Sequence, residues 1–290
     1  MDALRVAALL VALALSSAAA PPDRTGVVAY DGAGAWVDRY DFAKLGDPAL
    51  AVDAMAAHGV KTIYVETASY RVPGGVDVVA PAKTAQLIAS AHADGMKAVG
   101  WYFPGLVDLR TDMRRVRAAL GFRTADGQSF DSIALDIESN LVNPVRRRNA
   151  ALLRLSGTIR RAAGDAYAVG AIVPDERSTA GTDGLWPHFP YAASARYYDV
   201  FLPMAYSTLN RARGAAPVYA YTAANVRFVR RATHRPVHLI AGLTNAMTAS
   251  EQSAAARAAR DTGAVGASFY KYPLYNRGSW AALSAFAQAP

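Results

Sequence analysis

Eight short apolar runs alternate with helix-forming stretches along this chain, and this alternation constrains the fold more than any other feature. The runs span residues 27–31, 62–66, 97–102, 132–138, 168–173, 200–206, 237–242 and 266–271. Most of them are almost continuously apolar, which is typical of parallel strands that are buried on both faces. Eight strand–helix units in a chain of 290 residues predict an α/β protein, a single (β/α)8 TIM barrel.

Helix signals fall between the predicted strands. Asp47-Pro48 and Asn143-Pro144 each begin a helix, and Thr248-x-x-Glu251 forms a capping box at the start of another. An open doubly wound sheet is the alternative fold. It is disfavoured because the glycines at 32 and 34 lack the rest of the dinucleotide-binding fingerprint.

The first 20 residues have the pattern of an export signal. Arg5 precedes an apolar run over 6–15, and small residues occupy 16–20. We therefore expect a signal peptide at 1–20, a single domain over 21–290, and a secreted or cell-envelope location. The apolar run is short for a membrane span, so stable membrane insertion is not expected, although an uncleaved anchor is the alternative.

Composition narrows the classes of partner and cofactor. The chain has no Cys, which excludes disulfides and thiolate metal sites, and its five His have no ligand spacing. We expect no metal, no cofactor and a monomer. The net charge of +8 reflects either an arginine-rich composition or attraction to an anionic polymer of the cell envelope. Nucleic acid is not expected, because no binding motif accompanies the arginines on predicted helix surfaces. These are Arg114, Arg115, Arg117, Arg146, Arg147, Arg148, Arg160, Arg161, Arg227, Arg230 and Arg231.

Two acids end the predicted fourth strand. Side chains alternate along a strand, so Asp136 and Glu138 point the same way, about 7 Å apart along the backbone. Neighbouring carboxylates repel and titrate apart, so one stays protonated while the other stays charged. Glycoside cleavage needs such a pair.

Other polar and aromatic residues lie at the strand ends, where barrels of this type carry their chemistry. Aromatic faces stack on sugar rings, and carboxylates bind sugar hydroxyls. Each residue also has a structural interpretation, namely rim packing for the aromatics and pairing with Arg71 or Lys97 for Glu66. The candidate substrate-binding residues are Asp31, Trp36, Glu66, Tyr102, Met204 and Tyr270, and Tyr206 joins the acid pair as a candidate catalytic residue.

The segment Asp131-Ser-Ile-Ala-Leu-Asp136-Ile-Glu138 resembles the D-G-x-D-x-D-x-E motif on strand 4 of family 18 glycoside hydrolases, and Met204-Ala-Tyr206 resembles their M-x-Y on strand 6. The resemblance implies that Glu138 is the proton donor. It also implies that Asp136 orients a substrate acetamido group whose oxygen attacks the anomeric carbon, supported by Tyr206. The chain departs from the motif in that Ala134 stands in place of the innermost Asp.

Family 25, the peptidoglycan muramidases, is the second resemblance. Its strand-4 D-x-E needs no third acid, and the segments around Glu66, Tyr102 and Asp31 resemble its strands 2, 3 and 1. Together the two resemblances imply a glycosidase for a polysaccharide containing N-acetylhexosamine, either peptidoglycan or chitin-like. Two alternatives stay open: a barrel that binds glycans without cleaving them, and a glycosidase of another substrate class. The latter would pair Asp136 or Glu138 with Glu66 or Asp175.

Overall fold

The computed structural model describes residues 26–180, 182 and 184–287, so the predicted signal segment 1–20 lies outside the described residues. Eight parallel strands close into a barrel in chain order, with the first strand hydrogen-bonded to both the second and the last. The strands are β1 (Gly32–Val37), β2 (Val60–Ser69), β3 (Lys97–Phe103), β4 (Ser132–Asp136), β5 (Val169–Val173), β6 (Val200–Ala205), β7 (His238–Ala241) and β8 (Gly266–Phe269). The predicted single (β/α)8 barrel is confirmed.

Helices surround the barrel, and an apolar core fills the space between helices and strands. They are α1 (Pro48–Ala57), α2 (Pro81–Ala93), α3 (Leu109–Leu120), α4 (Val145–Ala163), α5 (Glu176–Thr179), α6 (Tyr191–Ser194), α7 (Ala215–Thr233), α8 (Ala249–Asp261) and α9 (Arg277–Ala287). The capping box is present, since the Thr248 hydroxyl accepts from the Glu251 N–H and the Glu251 carboxylate accepts from the Thr248 N–H. Within the described part of the chain, no helix combines the length and the apolar character needed to cross a membrane.

The position predicted for the first strand is wrong. Val27–Tyr30 is a 3-10 helix, and β1 is the following segment, Gly32–Val37. Glycine and alanine have weak strand propensity, so the sequence pattern favoured the more apolar residues before them. Packing explains the choice, because a side chain at Gly34 would lie 2.6 Å from the Tyr64 ring. The strand is built from small residues to make room for large neighbours inside the barrel.

Aromatic and polar side chains fill the lower half of the barrel. Tyr30 donates to the Ile133 carbonyl at 2.9 Å and lies 2.6 Å from the Ser132 hydroxyl. His238 lies 2.9 Å from the Ser268 hydroxyl, and burial lowers the pKa of its imidazole to about 4. This neutral, hydrogen-bonded layer closes the bottom of the barrel, so any cavity must open at the carboxyl ends of the strands.

Some arginines that we expected on helix surfaces are buried. Arg115 donates to the carbonyls of Ser69 at 2.7 Å and Val72 at 2.8 Å, and it ties α3 to the segment after β2. Arg148 and Arg160 are also buried and bond to carbonyl oxygens of neighbouring loops. These side chains serve the fold, because a guanidinium group has five donors and can bond several backbone carbonyls at once.

Candidate active site

A cavity of about 120 Å³ opens at the carboxyl ends of the barrel strands. Residues from seven of the eight strands or the positions just after them form its wall, as expected for the active face of a barrel. The lining residues are Trp36, Trp101, Asp136, Glu138, Ile172, Met204, Tyr206, Ile240 and Tyr270. The structure therefore brings together most of the residues that the sequence singled out.

The two acids of the fourth strand both line this cavity. β4 ends at Asp136, whose side chain points into the barrel as Ala134 does two residues earlier. Asp136 is only 8% exposed, whereas Glu138 is half-buried nearer the mouth. The Oδ1 atom of Asp136 is buried and has no hydrogen-bond partner among the described residues. Such an atom is what a substrate donor can satisfy.

Burial raises the pKa values of both acids. Desolvation raises the pKa of Asp136 well above its usual value, and the charges of Glu138 and Glu66 raise it further. Desolvation also raises the pKa of Glu138, with Arg71 acting in the opposite direction. Carboxyl groups with raised pKa values can donate protons near neutral pH.

A third acid, Glu66, acts through its charge on Asp136 but does not line the cavity. Its side chain is the last on β2 to point into the barrel before a bulge between Glu66 and Ala68. It is 3% exposed. Its carboxylate accepts from the Arg39 N–H at 2.9 Å and lies 3.5 Å from Arg39 Nε. Burial raises the pKa of Glu66 to about 7, although the Arg39 hydrogen bond opposes the rise. Its partner is thus Arg39 rather than Arg71 or Lys97, because Lys97 pairs with Asp131 at the other end of the barrel.

Aromatic rings form the walls of the cavity. Trp36 and Trp101 meet edge to face with ring centres 6.0 Å apart, and Tyr206 and Tyr270 lie 6.1 Å apart. The indole Nε1 of Trp101 is buried and has no hydrogen-bond partner among the described residues. Burial raises the pKa of Tyr206 well above its usual value, and the charges of Asp136 and Glu138 add to the effect. The site thus offers flat apolar faces, a free donor and two acids.

Three of the predicted site residues do not line the cavity: Glu66, described above, and Asp31 and Tyr102. Asp31 precedes β1 instead of ending it, so its exposed side chain lies at the opposite end of the barrel from the cavity. Tyr102 points out of the barrel because it follows the inward-facing Trp101, and its hydroxyl donates to Asp112 at 2.6 Å. Neither residue lines the cavity, and Trp101 takes the place predicted for Tyr102.

An ion-pair cluster that the sequence did not predict lies beside the cavity. Lys271 lies 2.7 Å from the Asp41 carboxylate and also pairs with Asp38. The Tyr270 hydroxyl donates to Asp38 at 2.8 Å, so the cluster holds one aromatic wall in position. Burial opposes ionisation of Asp38, but the bonds from Lys271 and Tyr270 outweigh it and lower its pKa. Asp38 lies two residues after Trp36. If the bounds of β1 had been predicted correctly, strand alternation would have placed Asp38 on the same inward face.

The remaining acid that we considered, Asp175, has a structural position. It accepts from the Ser178 N–H at 2.8 Å as the N-cap of α5, and the Tyr221 hydroxyl also bonds to it. Within residues 26–180, 182 and 184–287, no cluster of three or more His, Asp or Glu side chains is arranged to hold a metal ion.

Comparison with known proteins finds similarity in structure only. No family model and no curated protein matches the chain. The endo-β-1,4-mannanase from Thermotoga petrophila superposes with a TM-score of 0.67 at 11% identity, covering 91% of this chain and 77% of the mannanase. The GH18 chitinase from Cycas revoluta gives 0.63 at 11% identity, covering 88% and 98%. The spore cortex-lytic enzyme SleL from Bacillus cereus gives 0.62 at 11% identity, covering 87% and 73%.

These similarities define the class of fold. The chain has a (β/α)8 barrel of the kind found in glycoside hydrolases, and it matches each of these structures over most of its own length. At about one residue in nine identical, the similarity establishes architecture and leaves chemistry to be argued from the site.

Proposed function

We propose that the protein is a glycosidase that hydrolyses a polysaccharide containing N-acetylhexosamine, such as peptidoglycan or a chitin-like polymer. The observation that carries the proposal is the buried pair of Asp136 and Glu138 at the end of β4, inside a cavity with aromatic walls. The structural neighbours support the same substrate class, since they include a GH18 chitinase and a cortex-lytic enzyme.

In the proposed reaction Glu138 donates its proton to the glycosidic oxygen as the bond to the anomeric carbon breaks. The carbonyl oxygen of the substrate's own acetamido group attacks that carbon and forms a cyclic oxazolinium ion. Asp136 accepts a hydrogen bond from the acetamido N–H, and the Tyr206 hydroxyl holds the acetamido oxygen. Water then attacks the anomeric carbon, gives a proton to the Glu138 carboxylate and displaces the acetamido oxygen, so the acetamido group is restored and the product retains its configuration.

The positions of the two acids support these roles. Asp136 is the more buried acid, and its Oδ1 atom has no hydrogen-bond partner among the described residues, so it can accept from a substrate N–H inside the cavity. Glu138 lies nearer the mouth, where a leaving group can reach it. Asp136 and Glu138 lie two residues apart at the end of one strand, so they cannot act from opposite sides of the sugar. Substrate assistance does not require a second carboxylate on the opposite side.

A second candidate function is a glycosidase that pairs Glu138 with Glu66. The specific observation in its favour is that Glu66 is buried, has a pKa raised to about 7 and acts through its charge on Asp136. Such an enzyme would use an activated water and would invert the anomeric carbon. NMR of the first-formed product separates the two mechanisms, because substrate assistance requires retention.

The proposed function is tested with soluble peptidoglycan fragments, chitin oligomers and mannan oligomers. Release of reducing ends is expected from the N-acetylhexosamine substrates, with Glu138→Gln lowering kcat at least about 100-fold because the proton donor is lost. Glu176→Gln is the matched control, since it makes the same change on the same face outside the cavity. Tight binding without release of reducing ends would favour the non-catalytic glycan-binding barrel.

We propose further that residues 1–20 direct export and that the domain acts as a monomer at the cell envelope. The apolar run with its small-residue end supports export. Mass spectrometry of protein recovered from culture medium is expected to give a chain that begins after residue 20. Light scattering is expected to give the mass of one chain, and a dimer mass would contradict the monomer.

A further inference from the structure

One cation on the face formed by the carboxyl ends of the strands takes part neither in the proposed reaction nor in an ion pair among the described residues. Arg71 follows β2 by two residues and is exposed on the active face. Its guanidinium carbon lies 5.3 Å from the centre of the Tyr70 ring and 5.4 Å from that of Phe103. Its Nε donates to the Tyr70 hydroxyl at 3.0 Å. The guanidinium is therefore held on an aromatic platform.

The charge of Arg71 reaches the acid pair without touching it. The rings beneath the guanidinium, those of Tyr70 and Phe103, pack in the same apolar cluster as Trp101 and Met204, which line the cavity. The charge of Arg71 opposes the burial that raises the pKa values of Asp136 and Glu138. Among the ion pairs of the described residues, none joins Arg71 to either acid. Within that same part of the chain, its Nη atoms have no hydrogen-bond acceptor, while Nε is occupied by Tyr70.

This arrangement differs from that expected of a cation whose only role is to lower the pKa of Glu138. A direct pair with the carboxylate would perform that task and would occupy the guanidinium donors. Here the terminal donors have no acceptor among the described residues, and the two aromatic rings hold the guanidinium group in place. A planar guanidinium with free terminal N–H groups matches a carboxylate, which accepts two parallel hydrogen bonds.

We propose that Arg71 binds a carboxylate carried by the substrate sugar next to the cleaved bond, so that the preferred substrate is an acidic N-acetylhexosamine polysaccharide. This inference rests on the proposed function and narrows its substrate class from neutral chitin-like polymers to carboxylated ones. A carboxyl ether on the hexosamine, as in muramic acid, and a neighbouring uronic acid offer the same chemistry.

The test compares substrates that differ only in this charge. Oligosaccharides of alternating N-acetylglucosamine and N-acetylmuramic acid are used with the carboxylate free and as its methyl ester, and an oligomer with a uronic acid neighbour is measured beside them. The wild-type protein is expected to prefer the acid over the ester by about 10- to 100-fold in kcat/KM, the scale of a charge-assisted hydrogen bond. Whichever of the muramic acid and uronic acid substrates has the higher kcat/KM identifies the sugar that carries the recognised carboxylate.

Variants separate recognition from electrostatic tuning. Arg71→Gln is expected to bring the acid-to-ester ratio close to one, and Arg71→Lys to retain part of the preference as a point charge. Arg177→Gln is the matched control, because Arg177 is also an exposed arginine of this face, 5.0 Å from the Tyr221 ring, and should leave the ratio unchanged. Equal wild-type rates on acid and ester would overturn the proposal. An Arg71→Gln loss of the same factor on both would do so too, and would assign Arg71 to tuning.

A binding measurement tests carboxylate recognition by Arg71 separately from the proposed glycosidase activity. Calorimetry with the Glu138→Gln variant measures affinity for the acid and the ester without turnover. If the wild-type protein cleaves none of the oligosaccharides but the variant binds the acid about 10-fold more tightly, the glycosidase proposal fails and Arg71 recognition stands. Equal affinities for acid and ester would overturn Arg71 recognition.

Discussion

Replacing Lys271 by Met should destabilise the fold more than any other single change of a lysine in the described chain. Lys271 lies between Asp38 and Asp41, and the three side chains are 16%, 4% and 5% exposed. Its loss leaves two buried carboxylates without a counter-charge. Removing one partner of a buried ion pair costs about 3–5 kcal/mol, and the partial exposure of Lys271 places the expected loss near about 3 kcal/mol.

The loss should depend on pH in a defined direction. In the wild-type protein the pKa of Asp38 is lowered, because its bonds to Lys271 and Tyr270 outweigh burial. Asp38 therefore adds stability above its unfolded pKa and loses it as the pH falls through the folded value. In Lys271→Met the cation no longer opposes burial. The pKa of Asp38 therefore rises, and that of Asp41, which burial already raises in the wild type, rises further. The folded variant then takes up protons, so its deficit shrinks as the pH falls.

Urea denaturation at about pH 7.5 and about pH 4.5 measures both effects. Lys97→Met is the matched control, since Lys97 pairs with Asp131 at 3.0 Å but is 43% exposed, and its loss should cost under about 1 kcal/mol. Adding Asp41→Asn to Lys271→Met should restore part of the stability at the higher pH. Equal losses in the two lysine variants, or a Lys271→Met deficit that is the same at both pH values, would refute the reasoning.

Three further predictions concern single side chains. Burial raises the pKa of Glu66 to about 7, so folding should lose about 3 kcal/mol as the pH rises from about 4.5 to above 7. Glu66→Gln should flatten that dependence in urea denaturation, and an unchanged slope would contradict it. Tyr102→Phe removes the bond to Asp112 and should cost about 1–2 kcal/mol while leaving kcat/KM unchanged, since Tyr102 points away from the cavity. Tyr206→Phe should lower kcat at least about 10-fold with little change in the urea midpoint, and wild-type kcat would remove Tyr206 from the mechanism.

The barrel and seven of its strands could be predicted from the sequence because buried parallel strands are apolar on both faces, and that pattern is visible in one dimension. The position of β1 could not be predicted in this way. Gly34 leaves the space that the Tyr64 ring needs, and that contact joins residues thirty positions apart in the sequence. The error carried through to the site, because it put Asp31 at the cavity and left Asp38 unnoticed.

The acid pair was predictable because both carboxylates lie on one strand, where alternation alone fixes their common face. The same rule, applied at β3, would have chosen Trp101 over Tyr102 once Glu66 and Asp136 had defined the inward positions of neighbouring strands. Partners from distant strands were beyond sequence reasoning. The pairing of Lys271 with Asp38 depends on closure of the barrel between its first and last strands, and no local pattern reports it.

The central claim is that Glu138 protonates the leaving group, and a pair of substrates with the same N-acetylhexosamine tests it directly. One has a sugar as leaving group and the other has 4-nitrophenol, which leaves without help from an acid. We predict that Glu138→Gln lowers kcat/KM at least about 100-fold for the sugar leaving group and less than about 10-fold for 4-nitrophenol. Equal losses on both substrates, or no loss on either, would contradict the role of Glu138 as the general acid.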